Sequence, residues 1–260
     1  MAPRELASQW IDDLVTAFAL LTRLPLPRFG FESAESARAT RAYPLAGLAI
    51  GVLGGIAFAL ADALGLPALV CALLAVAATA LVGGCLHEDG LADSADALGG
   101  RSLERRLEIL RDSRTGAFGA LALVFSVALR AAALAALLDW SAALAALIAA
   151  HALSRGLLPP IMASSPFAHG DGLAVATGRP DHTTATIAAG LGALIALVAL
   201  GWSAGVAAIL IAAALTFGLR LFALARFGGV SGDILGACQQ LLETAILLVA
   251  AAFVWTTIAV

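Results

Sequence analysis

The chain has no lysine and little charge of any kind: only 13% of its 260 residues are charged, where an ordinary soluble domain carries about a quarter. With 61% hydrophobic residues and a mean hydropathy of +0.97, it lacks the polar side chains needed to clothe a water-facing surface. That shortage excludes an ordinary soluble globule, and lipid must cover much of the exterior. The 15 basic residues, all arginine, face 18 acidic ones for a net charge of −3, which excludes the basic footprint of a nucleic-acid binder. Cysteine is also scarce. Cys71, Cys85 and Cys238 are odd in number, set in apolar runs and without metal spacing or a disulfide framework, so they read as packing residues.

What the chain does have is apolar runs of bilayer length, about 20 residues each. Six fall at 44–64, 67–86, 117–138, 141–162, 185–201 and 204–223, and a seventh at 239–260 closes the chain. Very short turns join pairs of them: GLP at 65–67, DWS at 139–141 and GWSAG at 201–205. The arginines cluster in the other connections and avoid these turns, while Trp140 and Trp202 sit in them as interfacial aromatics do. The positive-inside pattern puts the N-terminus and every long loop in the cytoplasm, with the C-terminus on the far side. The N-terminal stretch does not fit a cleavable signal, because Asp12 and Asp13 interrupt it; Gln9 to Leu24 reads as an amphipathic helix ended by Pro25 and Pro27. The expected fold class is therefore all-α: a polytopic helical membrane protein, one domain over 1–260, with about six to seven transmembrane helices plus the amphipathic helix.

The polar chemistry is concentrated. In HEDGLADSAD, His87 to Asp96, the carboxylates of Asp89, Asp93 and Asp96 recur at i, i+4 and i+7, on one face of a helix. Like charges so placed need a cation or an arginine, and hard oxygen donors suit Mg²⁺ bound together with substrate phosphates. Gly90 would allow a phosphate or metal to approach the backbone. The plainer alternative is a solvated acidic face. RDSRTGAFG, Arg111 to Gly119, offers two arginines, Ser113 and two glycines before a helix, a plausible phosphate clamp, with Asp112 able to join the metal site; the alternative is positive-inside anchoring. RSLERRLE, Arg101 to Glu108, reads as a surface helix with internal ion pairs.

In FGGVSGDILGA, Phe227 to Ala237, Asp233 sits in a glycine-rich turn entering the last span, with Gln240 on about the same face and Glu243 a turn deeper. Carboxylates entering a membrane helix are functional candidates. Arg130 and Arg155 lie inside spans, where a charge costs about 2.5–3.5 kcal/mol. Arg155 lies near the loop end of its span, within reach of a ligand, while an interhelical pair is the plainer reading for Arg130. The loop 166–180 is polar and glycine-rich, like a substrate lid; His169, Asp171 and His182 in and after it read as solvated, and His151 as a hydrogen-bonded core residue.

Five motifs occur in a fixed order: LTRLPLP (21–27), YPLAGLAIG (43–51), HEDGLADSADALGG (87–100), RDSRTGAFG (111–119) and GDILGA (232–237). Together they make the chain similar to the cobalamin synthase family, the adenosylcobinamide-GDP ribazoletransferases, over about residues 18–245. The resemblance implies a Mg²⁺-dependent enzyme of the bacterial inner membrane, with its N-terminus and active-site loops (87–116 and 163–184) cytoplasmic. It implies that adenosylcobinamide-GDP reacts with α-ribazole or its 5′-phosphate, giving adenosylcobalamin or its 5′-phosphate and GMP. The family's H-x-D-G-L-A-D-x-x-D pattern falls on His87, Asp89, Gly90, Asp93 and Asp96, and its D-S-R-x-G-x-F-G pattern on Asp112, Ser113, Arg114, Gly116, Phe118 and Gly119. Where the family often has aromatic-Ala-Arg, this chain has Phe167, Ala168 and His169.

With the chemistry above, this gives His87, Asp89, Asp93 and Arg114 as expected catalytic residues. Gly90, Arg111, Ser113, Arg114, Arg155 and Gln240 are expected substrate contacts, and Asp89, Asp93, Asp96, Asp112 and Asp233 expected metal ligands. His87 or an aspartate off the metal would accept the hydroxyl proton. Expected partners are the two small-molecule substrates and the lipid bilayer, with no nucleic acid; a homo-oligomer stays open. A CDP-alcohol phosphatidyltransferase-like enzyme is the rival in the same class, but its spacing of Asp-Gly, Ala-Arg and further aspartates is not matched. A cation or metabolite transporter, using Arg130, Arg155, Asp233 and Glu243 as relays, is the rival from another class.

Overall fold

In the computed structural model the apolar runs become helices that pack through small residues. It describes residues 3–25, 33–112, 114–137 and 139–258, so the expectations for Pro27 and Ser113 lie outside the described residues. The helices are α1 (Pro3–Leu21), α2 (Ser33–Ala39), α3 (Tyr43–Ala63), α4 (Ala68–Gly83), α5 (Leu86–Ala97) and α6 (Leu103–Ile109). They continue as α7 (Ala117–Ala135), α8 (Trp140–Gly156), α9 (Leu158–Ala163), α10 (Leu173–Thr177), α11 (His182–Phe227) and α12 (Gly232–Ile258). The described residues form no strand, only an isolated bridge between Phe167 and Val230. Five stretches are long and apolar enough to cross a membrane, six if α4 and α5 count as one bent span. The all-α polytopic architecture is as expected.

α3 and α8 make the most extensive helix pair. A Cβ at Gly51 would come within 2.6 Å of the Leu147 carbonyl, so glycine lets the two backbones touch, as small residues do between membrane helices. α11 is a helical hairpin. Gly201 breaks it at φ 75°, and a Cβ on Gly205 would stand 2.8 Å from the Leu197 Cα, so the second arm folds back along the first. The reversal falls in the GWSAG turn.

The junction between α4 and α5 departs from a straight span. Gly84 (φ 65°) and Cys85 (φ 55°) are both left-handed, and the axis turns by 93° there. Glycine adopts this conformation freely and cysteine does not. The turn carries α5 away from the α4 span, so its acidic residues leave the apolar layer. Cys85 is exposed at the bend, unlike the buried Cys71 and Cys238, so only two of the three cysteines pack as expected.

Contacts among the long connections gather them at one end of the bundle. Arg106 Nη1 donates to the Arg226 carbonyl at 3.1 Å, and Arg220 Nη2 to the Ser164 carbonyl at 2.5 Å. Ala168 and Val230 exchange backbone bonds across the bridge. Much of 87–116, expected as a loop, is helical, because α5 and α6 occupy it. α1 is anchored rather than loosely interfacial: buried Asp13 accepts from Arg38 Nε at 3.1 Å and Arg41 Nε at 2.6 Å, and the Arg41 guanidinium lies 4.1 Å over Trp10.

Candidate active site

At the end where the connections meet, α5 crosses the start of α12. The crossing is tight because both helices present glycine. A Cβ on Gly90 would lie 2.6 Å from the Asp233 carbonyl, and one on Gly236 would lie 3.2 Å from the His87 Cα. The close approach at Gly90, expected for a phosphate or metal, is thus made by the α12 backbone. The crossing brings Asp89 and Asp233, 144 positions apart in sequence, to the wall of one cavity of about 240 Å³. His87 and His169 also line it.

Asp93 lies one turn along α5 and half-buried. Burial, with the negative charge of Asp89, Asp233, Asp96 and Asp112, pushes its carboxyl up to about 6. This is a site short of positive charge. Among the described residues no three acidic, histidine or cysteine side chains converge at metal-ligand geometry. Two carboxylates suffice for a hard cation that completes its shell with water and substrate phosphates. Asp89 and Asp233, supported by Asp93, therefore fit such an ion in donor type and charge.

Two other expected ligands are otherwise engaged. Asp96 accepts from the Gly116 amide at 2.7 Å and the Gly119 amide at 2.9 Å, tying α5 to the start of α7. These are the amides expected to bind a phosphate, and a carboxylate already satisfies them. Asp112 pairs with Arg114 through Nη2 at 2.7 Å and Nε at 3.0 Å, which holds its carboxyl below the usual range. Arg111 Nη2 reaches Asp171 at 3.1 Å. All four side chains of these two pairs are well solvated, so the arginines can exchange partners readily.

Arg155 and Gln240, expected to touch substrate, are buried beneath the cavity. Arg155 Nη1 lies 2.8 Å from His151 Nδ1, and its Nη2 lies 3.4 Å from His87 Nδ1. Gln240 accepts from Ser126 Oγ at 3.0 Å and donates to Glu88 at 3.2 Å and Gln239 at 3.0 Å. Arg155 therefore reaches the cavity only through His87. An arginine can only donate, so in this pairing His87 Nδ1 accepts and the neutral ring carries its proton on Nε2.

The cavity has further walls that the sequence reading passed over. Tyr43 of α3, Met162 of α9 and the segment carrying His169 and α10 enclose it. His169, read as solvated, bonds through Nδ1 to the Asp171 carbonyl at 2.8 Å and faces the cavity. Its nearest sequence signal was its place in the fourth-to-fifth loop, where the related family often carries an arginine.

A family model described as cobalamin-5-phosphate synthase matches residues 13–251. An adenosylcobinamide-GDP ribazoletransferase of Mesorhizobium japonicum is 44% identical over 251 residues, 96% of this chain and 95% of that protein. One from Bradyrhizobium diazoefficiens is 44% identical over 247 residues, 94% of each chain. One from Rhizobium etli is 47% identical over 247 residues, 90% of this chain and 94% of that protein. No solved structure matches.

Proposed function

The chain belongs to the cobalamin-5-phosphate synthase family, a family of membrane transferases, and from that premise we propose the reaction it carries out. It joins adenosylcobinamide-GDP to α-ribazole or its 5′-phosphate, giving adenosylcobalamin or its 5′-phosphate with release of GMP. A ribose hydroxyl oxygen bonds to the β-phosphorus, the bridge from that phosphorus to the GMP oxygen breaks, and the hydroxyl proton passes to a base. The carrying observation is that Asp89 and Asp233, from two crossing helices, share one cavity below the exposed Arg111 and Arg114.

The residues divide the work. Asp89 and Asp233, with Asp93 behind them, would hold Mg²⁺, which when bound neutralises the pyrophosphate and eases departure of GMP. Arg111 and Arg114 leave their carboxylate partners and donate to phosphate oxygens, where charge develops. His87, with its proton on Nε2, donates a hydrogen bond into the cavity, which leaves an α5 carboxylate as the proton acceptor. Little covalent chemistry is asked of the protein, since phosphoryl transfer depends mainly on positioning and charge. The arginine distribution supports an inner-membrane location with this end of the bundle in the cytoplasm.

The test is reconstitution. Purified protein in lipid, given Mg²⁺, adenosylcobinamide-GDP and α-ribazole, should release GMP and form corrinoid product in equal amounts, and chelation of Mg²⁺ should stop both. No product from folded protein would overturn the reading.

A further inference from the structure

The cavity beside Asp89 and Asp233 is too small for both substrates of this reaction. At about 240 Å³ it falls below the roughly 300–1,000 Å³ of drug-sized sites and is close to the size of one nucleoside. A corrin macrocycle would not enter it. The transferase reading nevertheless supplies two nucleosides, the guanosine of the donor and the benzimidazole riboside that accepts. The lining separates them.

One end of the cavity is apolar, formed by Leu86, Leu158, Met162 and Leu235. Guanine carries an amide and an amino group on its edge, and burying them there without partners would be costly. A benzimidazole has no such exocyclic groups. Its flat apolar face suits leucine, and its ring edge suits the Met162 thioether. The other end carries Asp89 and Asp233, acceptors for ribose hydroxyls. Over the cavity lies α10, bounded by Gly172 (φ 94°) and Gly178 (φ 83°), with Leu173 pointing in while remaining 43% exposed. Two glycines in conformations that other residues rarely adopt are suited to serve as hinges for this short roof.

We propose that this cavity is the acceptor site. It takes the benzimidazole nucleoside with the base among Leu86, Leu158 and Met162 and the ribose toward Asp89 and Asp233, while the corrinoid nucleotide approaches from outside. This assignment rests on the transferase reading, and the two can fail separately.

Steady-state kinetics of the full chain in lipid nanodiscs test it. Leu173→Trp, made on the half-solvated roof, should fill the cavity and raise KM for α-ribazole by roughly tenfold or more, with KM for adenosylcobinamide-GDP changed less than about twofold. In wild-type protein, free 5,6-dimethylbenzimidazole should compete with α-ribazole and not with adenosylcobinamide-GDP, a measurement that needs no variant to fold. Met162→Ala should improve the relative use of benzimidazole ribosides with bulkier ring substituents. Competition against the corrinoid substrate, or a Leu173→Trp effect confined to it, would assign the cavity to the donor and overturn the proposal while leaving the transferase reading intact. No product from wild-type protein would overturn the transferase reading instead.

Discussion

Arg130 Nη1 donates to Glu243 Oε1 at 2.9 Å, across 113 positions of sequence, and both side chains are 1% exposed. The other Glu243 oxygen lies 2.6 Å from Gln239 Nε2, 3.0 Å from His151 Nδ1 and 3.6 Å from Arg155 Nη1. One carboxylate thus answers two guanidiniums from α7 and α8, and Arg130 also reaches Glu88 of α5 at 3.4 Å. Charges at this depth are tolerated because they meet one another. The network underpins α5, the helix that carries Asp89.

Removing the shared carboxylate should be costly. Glu243→Gln leaves two buried guanidiniums without their counter-charge, and breaking a buried pair from one side costs about 3–5 kcal/mol. We expect a fall of several degrees in the melting temperature of detergent-purified protein, accompanied by loss of turnover. An unchanged melting temperature would show that the network contributes nothing to the fold.

Asp89 and Asp96 should behave differently although they lie on one helix. Asp89→Asn removes a donor from the cavity, so kcat should fall by roughly a hundredfold or more and the Mg²⁺ needed for half-activity should rise, with membrane insertion intact. Asp96→Asn weakens the cap on α7, at a cost of about 1 kcal/mol in stability, and should leave the Mg²⁺ dependence unchanged. Equal effects on Mg²⁺ dependence would refute this division.

Such differences mark what the sequence could reveal. The spans were legible because bilayer length dictates apolar length, and Arg130 could be read as an interhelical pair because a lone charge there is unaffordable. Its partner Glu243 could not be named, since helix packing alone brings them together. The α5 carboxylates were legible as a cluster because helical periodicity relates Asp89, Asp93 and Asp96. That Asp96 turns to the Gly116 and Gly119 amides depends on where α7 starts in space. The 93° bend was hidden for a similar reason: a left-handed Cys85 has no signature in residue type. His169 faces the cavity only because 166–168 pairs with Val230, a contact across the whole loop and hairpin.

Gly90 tests the crossing itself. In Gly90→Ala the new methyl would press on the Asp233 carbonyl and Cα, which are backbone atoms that cannot rotate away. Overpacking of this kind costs about 1–3 kcal/mol and should move Asp233 away from Asp89. The expected result is a variant that still inserts, melts lower and loses most of its turnover. Wild-type kinetics would mean that the exact crossing is not needed for the reaction.

The crowded carboxylates should give the metal-free protein an unusual response to pH. Asp93 is pushed up to about 6 from an ordinary 3.8, by burial first and then by Asp89 and Asp233. A carboxyl raised in the folded state keeps its proton there after the unfolded chain has released it. Between about pH 4 and 6 the folded protein therefore binds more protons, and this contribution to stability falls as pH rises. Because Asp93 is only half-buried, solvent screens part of the effect, and the direction is the prediction. In chelator, the melting temperature should decline across that window, and Asp93→Asn should flatten the decline. Added Mg²⁺ should raise the melting temperature little near pH 4, where protons occupy the carboxylates, and most above about pH 6, where the like charges stand uncompensated. Stabilisation by Mg²⁺ of the same size at both ends of the window would mean that the ion binds elsewhere than among these three aspartates.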